Sequence, residues 1–225
     1  VINLGINYMN AFWSPTMEMF CFGNGDQIIV GGLACALDII AHEYGHAVTS
    51  HASQLAYEFQ SGALNEAFSD FSGTMVEYYT SASSANWIMG ENSFFAGGSY
   101  LAMRSLENPH DSRMLSQHPK TMSEYQDLSF DDDNGGVHVN CTIPGHAIYL
   151  IAQKLGRSKM EQIIYRTFIH YLTPRSQFID FRLAAIQAAK DLYSSSEANR
   201  VAEAFDEVEI YDGNSTPPPD RYTPV

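Results

Sequence analysis

"ALDIIAHEYGHAVTSHAS", residues 36–53, decides how this chain is read. The run from Leu33 to Val48 is apolar at helical spacing, with no proline and no glycine between Gly32 and Gly45. At ~100° per residue, His42 and His46 are four apart and share one helix face. Two imidazoles one turn apart can take two corners of a zinc tetrahedron. Glu43 directly follows the first of them, so its carboxylate stands beside such a metal rather than on it. That is where a base for an activated water is wanted. His51 is out of phase with the pair and reads as solvated or capping.

A third ligand has to come from elsewhere. An extended HExxHxxGxxH site needs glycine at 49 and histidine at 52, and Thr49 and Ala52 exclude it. "SGALNEAFSDFSGTMVEYY", residues 61–79, supplies the alternative. Glu66, Asp70 and Glu77 share a helical face, while Leu64, Ala67, Phe68, Phe71 and Met75 supply apolar surface. If this helix returns antiparallel to the first, Glu66 meets His42 and His46. Asp70 then falls one turn along, where it can accept the other ring N–H of a ligand histidine and fix its tautomer. Two histidines and a glutamate leave the fourth position open, as in a catalytic zinc site.

HEYGH, nineteen intervening residues and then NEAFSD resembles the thermolysin family of zinc endopeptidases. "NAFW" at 10–13, "SGALNEAFSD" at 61–70, "MRSLENP" at 103–109 and "DNGGVHVN" at 133–140 agree in order and spacing, so the resemblance covers roughly residues 3–210. Related zinc aminopeptidases place the glutamate one residue earlier, where this chain has Asn65. The resemblance implies an α+β fold, with a short β-rich amino-terminal part, a central zinc-binding helix and a mainly α-helical carboxyl-terminal lobe. It implies zinc on His42, His46 and Glu66, with Glu43 as general base and Asp70 behind a zinc histidine. Tyr57 and His138 match residues that steady the oxyanion, and Asp133 matches the carboxylate that orients that histidine. Asn10, Ala11 and Arg104 match groups that hold the substrate backbone. Val30, Leu33, Ile39, Met89 and Met103 match the primary side-chain pocket, with Arg104 at its rim. Such a pocket implies cleavage on the amino side of bulky hydrophobic residues by metal-activated water.

The same two helices bring Asp38, one turn before His42, towards Glu77. The loop at 83–92 adds Asn86 and Glu91 as oxygen donors. Calcium takes six to eight oxygens in irregular geometry. One calcium is expected here where the family often keeps two, because Ile88 replaces a carboxylate of the two-calcium members.

Composition sets the outer limits. The chain has 225 residues, 45% of them hydrophobic, enough for a full core. Its net charge of −14, from 26 acidic against 12 basic residues, disfavours nucleic acid and anionic membrane surfaces. No apolar run approaches the ~20 residues of a bilayer span. Cys21, Cys35 and Cys141 allow at most one disulfide and do not fix the compartment; Cys35 is expected to be buried in the active-site helix.

Along the chain, 2–9 and 17–31 read as strands around a "GNGD" turn, and helices are expected at 33–52, 63–80, 144–155, 158–171, 176–194 and 197–206. Pro144 suits a first helical turn, and Ser176 and Ser196 suit caps. Between 81 and 135 the chain reads as irregular, with His138 presented from the mouth of a loop. Residues 1–52 are expected to be the remainder of an amino-terminal lobe with the active-site helix, 53–210 a helical lobe, and 211–225 a Pro-rich tail or linker with a possible glycosylation acceptor at "NST", 214–216. Family members carry a sizeable β-rich segment ahead of "NAFW", and here about ten residues precede it. A separate amino-terminal chain or propeptide is therefore an expected partner beside protein or peptide substrates, and a secreted zymogen the expected setting. Two other classes stay open: a zinc exopeptidase, and a catalytically impaired or incomplete fragment acting as a binding module.

Overall fold

Two helices lie antiparallel at the centre of the molecule: α1, Leu37–His51, and α2, Phe59–Thr80. The direction follows from the pairs they bring together, His42 with Asp70 and His46 with Asn65. Close approach depends on Gly45, where an added Cβ would stand 2.7 Å from the Ser69 Cα. The computed structural model describes residues 1–213. From residue 214 on, the Pro-rich tail and its glycosylation acceptor lie outside the described residues.

Helix α1 is shorter than its apolar run. Ala36 is extended (φ −98°, ψ 120°), so Leu33–Cys35 forms a separate 3-10 turn ahead of the helix. Cys35 therefore stands exposed on that turn, not buried in the helix as expected, and Cys21, Cys35 and Cys141 are all free.

The amino-terminal strands differ from expectation. They are β1, Ile2–Asn3, β2, Ala11–Ser14, and β3, Met19–Phe22, in the order β1-β3-β2. β1 runs parallel to β3, and β2 pairs antiparallel with it from Ala11 opposite Phe22 to Ser14 opposite Met19. Both expected strands are thus cut short, and β2 lies where none was expected. The second stops for a local reason. The Asp26 carboxylate accepts the N–H groups of Ile28, Ile29 and Val30 at 2.8–3.0 Å, taking the donors that a ladder would need.

The 81–135 segment is largely irregular, with a two-strand ladder of β4, Ile88–Met89, on β5, Arg104–Ser105. Then follow α3, Asp133–Asn140, α4, Thr142–Leu155, α5, Arg157–Arg166, α6, Phe178–Leu192, and α7, Ser195–Glu207. A π-helical turn, Thr167–Tyr171, extends α5. Pro144 falls in the first turn of α4, as expected. The caps do not fall where expected. Gln177 and Asp180 form a capping box on α6, and Ser194 caps α7 by accepting from the Ser196 N–H. Ser176 instead accepts from the Thr173 N–H.

A file of phenylalanines joins this lobe through its core. Phe68 of α2 stacks on Phe168 at 4.7 Å, and Phe168–Phe181 and Phe181–Phe205 follow at 5.0 Å each. Truncating one such ring to alanine costs about 3–5 kcal/mol. The back of α2 is thereby anchored, so its polar face is held rigidly against α1. The architecture is α+β, with short strands followed by a mainly helical lobe.

Candidate metal centre and substrate cleft

His42, His46 and Glu66 converge between α1 and α2. The two Nε2 atoms are 3.0 Å apart, and Glu66 oxygens lie 3.4 Å from His42 Nε2 and 3.3 Å from His46 Nε2. The edge of a zinc tetrahedron with bonds of 2.0–2.1 Å is about 3.3 Å. The other ring nitrogens set the tautomers. His42 Nδ1 meets Asp70 Oδ1 at 2.9 Å, and His46 Nδ1 meets Asn65 Oδ1 at 2.8 Å. A carboxylate only accepts, so His42 Nδ1 carries the hydrogen. Thr49 also donates to Asn65 Oδ1, at 2.8 Å, which marks that atom as an acceptor. Both Nε2 lone pairs therefore point at one place, an arrangement that a cation resolves. The residues fit zinc.

The electrostatics agree. Burial by itself would lower the His42 pKa, yet its bonds to Asp70 and Glu66 push it up to about 10. Burial would raise Glu66 and Asp70. The histidines around Glu66, and Arg104 with His42 around Asp70, hold both below the usual carboxylate range. The pocket is built to hold positive charge. Glu43 differs: burial raises its pKa, and Oε2 is buried with no hydrogen-bond partner.

Asn65 is a further site residue beyond those expected from the sequence. The signal was available, since His46 needs an acceptor for Nδ1 as His42 does. Arg104 lines the cleft beside Met89 and Met103. It is only 7% exposed and its guanidinium also braces Asp70 and Glu66 from behind. Its Nε and Nη2 donate to the Asp70 oxygens at 2.7 Å each, and Nη2 to Glu66 at 3.2 Å. His51 is exposed at the end of α1, bonded to the Ala47 carbonyl at 2.9 Å.

Tyr57 and His138 close the other side. Tyr57 OH donates to Glu66 Oε1 and stands 3.1 Å from His138 Nε2. His138 is half-exposed and follows directly on a left-handed turn that interrupts α3, in the right-handed part of that element rather than in a loop proper. The four residues 133–136 ahead of it all have positive φ, between 51° and 83°. This left-handed turn lets one Asp133 carboxylate reach both the His138 N–H, at 2.8 Å, and its Nδ1, at 2.5 Å. Glu66 and Asp133 raise the His138 pKa against the opposing effect of burial.

A cleft of about 760 Å³ runs across the centre. Asn10, Ala11, Leu33, Ile39, His42, Glu43, His46, Tyr57, Glu66, Met89, Met103, Arg104 and His138 all line it. Val30 does not; it is buried behind the wall with Leu33 and Ile39.

Below this centre, Asp38, Glu77 and Glu91 bring carboxylate oxygens within 4.8 Å of one another. Glu77 Oε2 and Glu91 Oε2 are buried without partners. Burial and their neighbours raise Asp38 to about 6 and Glu77 to about 7. Asn86 stands one step back: it donates to Glu91 at 2.7 Å while its own oxygen accepts the Ile88 N–H.

Known proteins resemble this chain in sequence and fold. Residues 1–50 match the thermolysin metallopeptidase catalytic domain, and residues 53–210 its alpha-helical domain. The chain is 36% identical over 222 residues to bacillolysin of Bacillus caldolyticus, covering 93% of this chain and 39% of that protein. It is 40% identical over 209 residues to neutral protease NprE of Bacillus pumilus, covering 92% and 65%. The chain thus spans well under two thirds of the bacillolysin's length. In structure it matches the precursor of protealysin, a metalloproteinase from Serratia proteamaculans, with a TM-score of 0.82 at 31% identity, covering 92% of this chain and 68% of that one. The fold, the two domain matches and these identities together place the chain in the thermolysin metallopeptidase family.

Proposed function

We propose that this chain is a zinc-dependent endopeptidase cutting peptide bonds on the amino side of bulky hydrophobic residues. The observation that carries the reading is the convergence of His42, His46 and Glu66 beside the unpartnered Glu43 oxygen, at the floor of a cleft wide enough for a peptide. Zinc held by those three side chains would supply Lewis acidity, lowering the pKa of water and polarising a carbonyl. Glu43 takes the proton of the attacking water and passes it to the leaving amine, and its raised pKa suits both halves of that task. Tyr57 and His138 donate to the negative charge that develops on the carbonyl oxygen. Asp133 fixes the His138 ring, and Asp70 and Asn65 fix the two zinc histidines.

Asn10 leads into β2, which Ala11 opens; this strand lies at an edge of the sheet, lines the cleft and offers backbone to an extended substrate. Leu33, Ile39, Met89 and Met103 form the apolar pocket, backed by Val30, and Arg104 holds the wall between pocket and metal. Below it Asp38, Glu77 and Glu91, with Asn86 steadying Glu91, hold one calcium. Residues 1–52 and 53–210 act as the two walls of the cleft. Exposed Ile6, Tyr8 and Met9 give a separate amino-terminal chain or propeptide an apolar seat. Secretion is the setting that fits this reading, and no helix among the described residues is long and apolar enough to cross a membrane.

The rival readings predict different behaviour. An exopeptidase needs an acidic group for the substrate's free amine, and among the described residues the only carboxylates lining the cleft are Glu43 and Glu66, both at the proposed metal centre. An internally quenched peptide with both ends blocked separates the classes. Cleavage supports an endopeptidase. Cleavage only after one end is freed indicates an exopeptidase, and binding without cleavage a binding module.

A further inference from the structure

Phe59 opens helix α2 with φ +46°, a left-handed conformation in which a bulky residue is an outlier. Nothing in its own sequence asks for this, since neither asparagine nor glycine occupies the position. The surrounding turn is held from outside. Ala56 N–H donates to the Pro174 carbonyl at 2.8 Å, and Ser61 Oγ donates to the carbonyls of Ala56 and Glu58.

The conformation directs the Phe59 ring onto Gly135. A Cβ added to Gly135 would stand 2.3 Å from Phe59 Cδ1 and 2.6 Å from Cε1, so the ring rests on the bare Cα. One turn along, Val137 fills the space above Gly62, where an added Cβ would meet Val137 Cγ1 at 2.4 Å. These two contacts join the segment carrying Tyr57 to the left-handed turn carrying Asp133 and His138. That turn needs such support, because Asp133 (φ 54°) and Asn134 (φ 51°) are themselves non-glycine residues in the left-handed region.

We propose that Phe59 is a positioning residue that sets the register between Tyr57 and His138, through the contact of its ring with Gly135. The proposal rests on the endopeptidase reading for its kinetic consequence, though not for its structural one. Phe59 does not line the cleft, so its influence on substrate runs through the pair it aligns.

Phe59→Asn separates this role from simple stabilisation. Asparagine tolerates positive φ, so the backbone is relieved while the ring is lost. The variant is expected to melt no lower than about 3 °C below the parent, yet to lose kcat about tenfold with KM within about twofold. Hydrogen exchange of the 133–140 segment, whose His138 N–H is bonded to Asp133, is expected to quicken at least about fivefold. Phe59→Tyr, which keeps the ring, restores both quantities to near the parent. Unchanged exchange in Phe59→Asn overturns the proposal whatever happens to the rate, because the turn would then not depend on the ring. Faster exchange with an unchanged kcat overturns it too, since the register would not matter to the pair. If the parent chain cleaves no blocked peptide, the endopeptidase reading fails, and the exchange comparison alone decides the contact.

Discussion

Asp70 accepts the His42 Nδ1 hydrogen at 2.9 Å while the same carboxylate takes two hydrogen bonds from Arg104. One side chain thus fixes the His42 ring and neutralises a buried guanidinium. Replacing it by alanine loosens the His42 ring and leaves Arg104 with Glu66 as its remaining acidic partner among the described residues. Asp70→Ala is expected to weaken zinc binding about 10–100-fold. Competition titration against a chelator measures this, and affinity unchanged within about twofold would remove Asp70 from the site.

If the lower carboxylate cluster holds calcium as proposed, its binding depends on pH in a definite direction. Asp38 at about 6 and Glu77 at about 7 lie above their ordinary values of 3.8 and 4.5. A raised carboxylate pKa means that folding favours the protonated form. In calcium-stripped protein this contribution is full below about pH 4 and declines as pH rises through about 7. Calcium needs the ionised groups, so it reverses the trend. The rise in melting temperature on adding millimolar calcium to zinc-loaded protein is expected to be small at pH 5 and large at pH 8. Glu77→Gln should abolish most of the difference. An equal rise at both pH values, or none at either, would count against the site.

Pocket chemistry fixes the expected cleavage pattern. Leu33, Ile39, Met89 and Met103 present no charged partner, and burying an apolar side chain among them gains ~25 cal/mol per Å². Fragments of casein mapped by mass spectrometry are expected to begin with Leu, Ile, Phe, Met or Val. A dominant preference for Asp, Glu or Lys at that position would refute the pocket. Met103→Ala enlarges it and should shift the preference towards larger rings.

How much of this was legible in the sequence depends on the range of the interaction. His42, His46, Glu66 and Asp70 could be read because helical periodicity places them, and one assumption, antiparallel packing, brings them together. Asp38 and Glu77 follow from the same assumption. Asn65 has no charge to mark it, and only the need of His46 Nδ1 for an acceptor points to it. Strand β2 escaped because its four residues are all half-buried, without the alternation that marks a strand. The left-handed conformation of Phe59 goes with a long-range bond, Ala56 N–H to the Pro174 carbonyl, and with a ring contact on Gly135, and no local signal announces it. Ser194 and Gln177 show the same limit at helix ends, where one or two residues decide which side chain reaches an open N–H.

The measurement that bears most directly on the central claim pairs zinc content with turnover in Glu43→Gln. Its carboxylate stands beside the metal centre and is not one of the three converging donors. Zinc by elemental analysis is expected to stay near one per chain, while cleavage of the blocked, internally quenched peptide falls about a thousandfold. Near-normal turnover with full zinc would contradict the account, because the proton would then be moved by some other group.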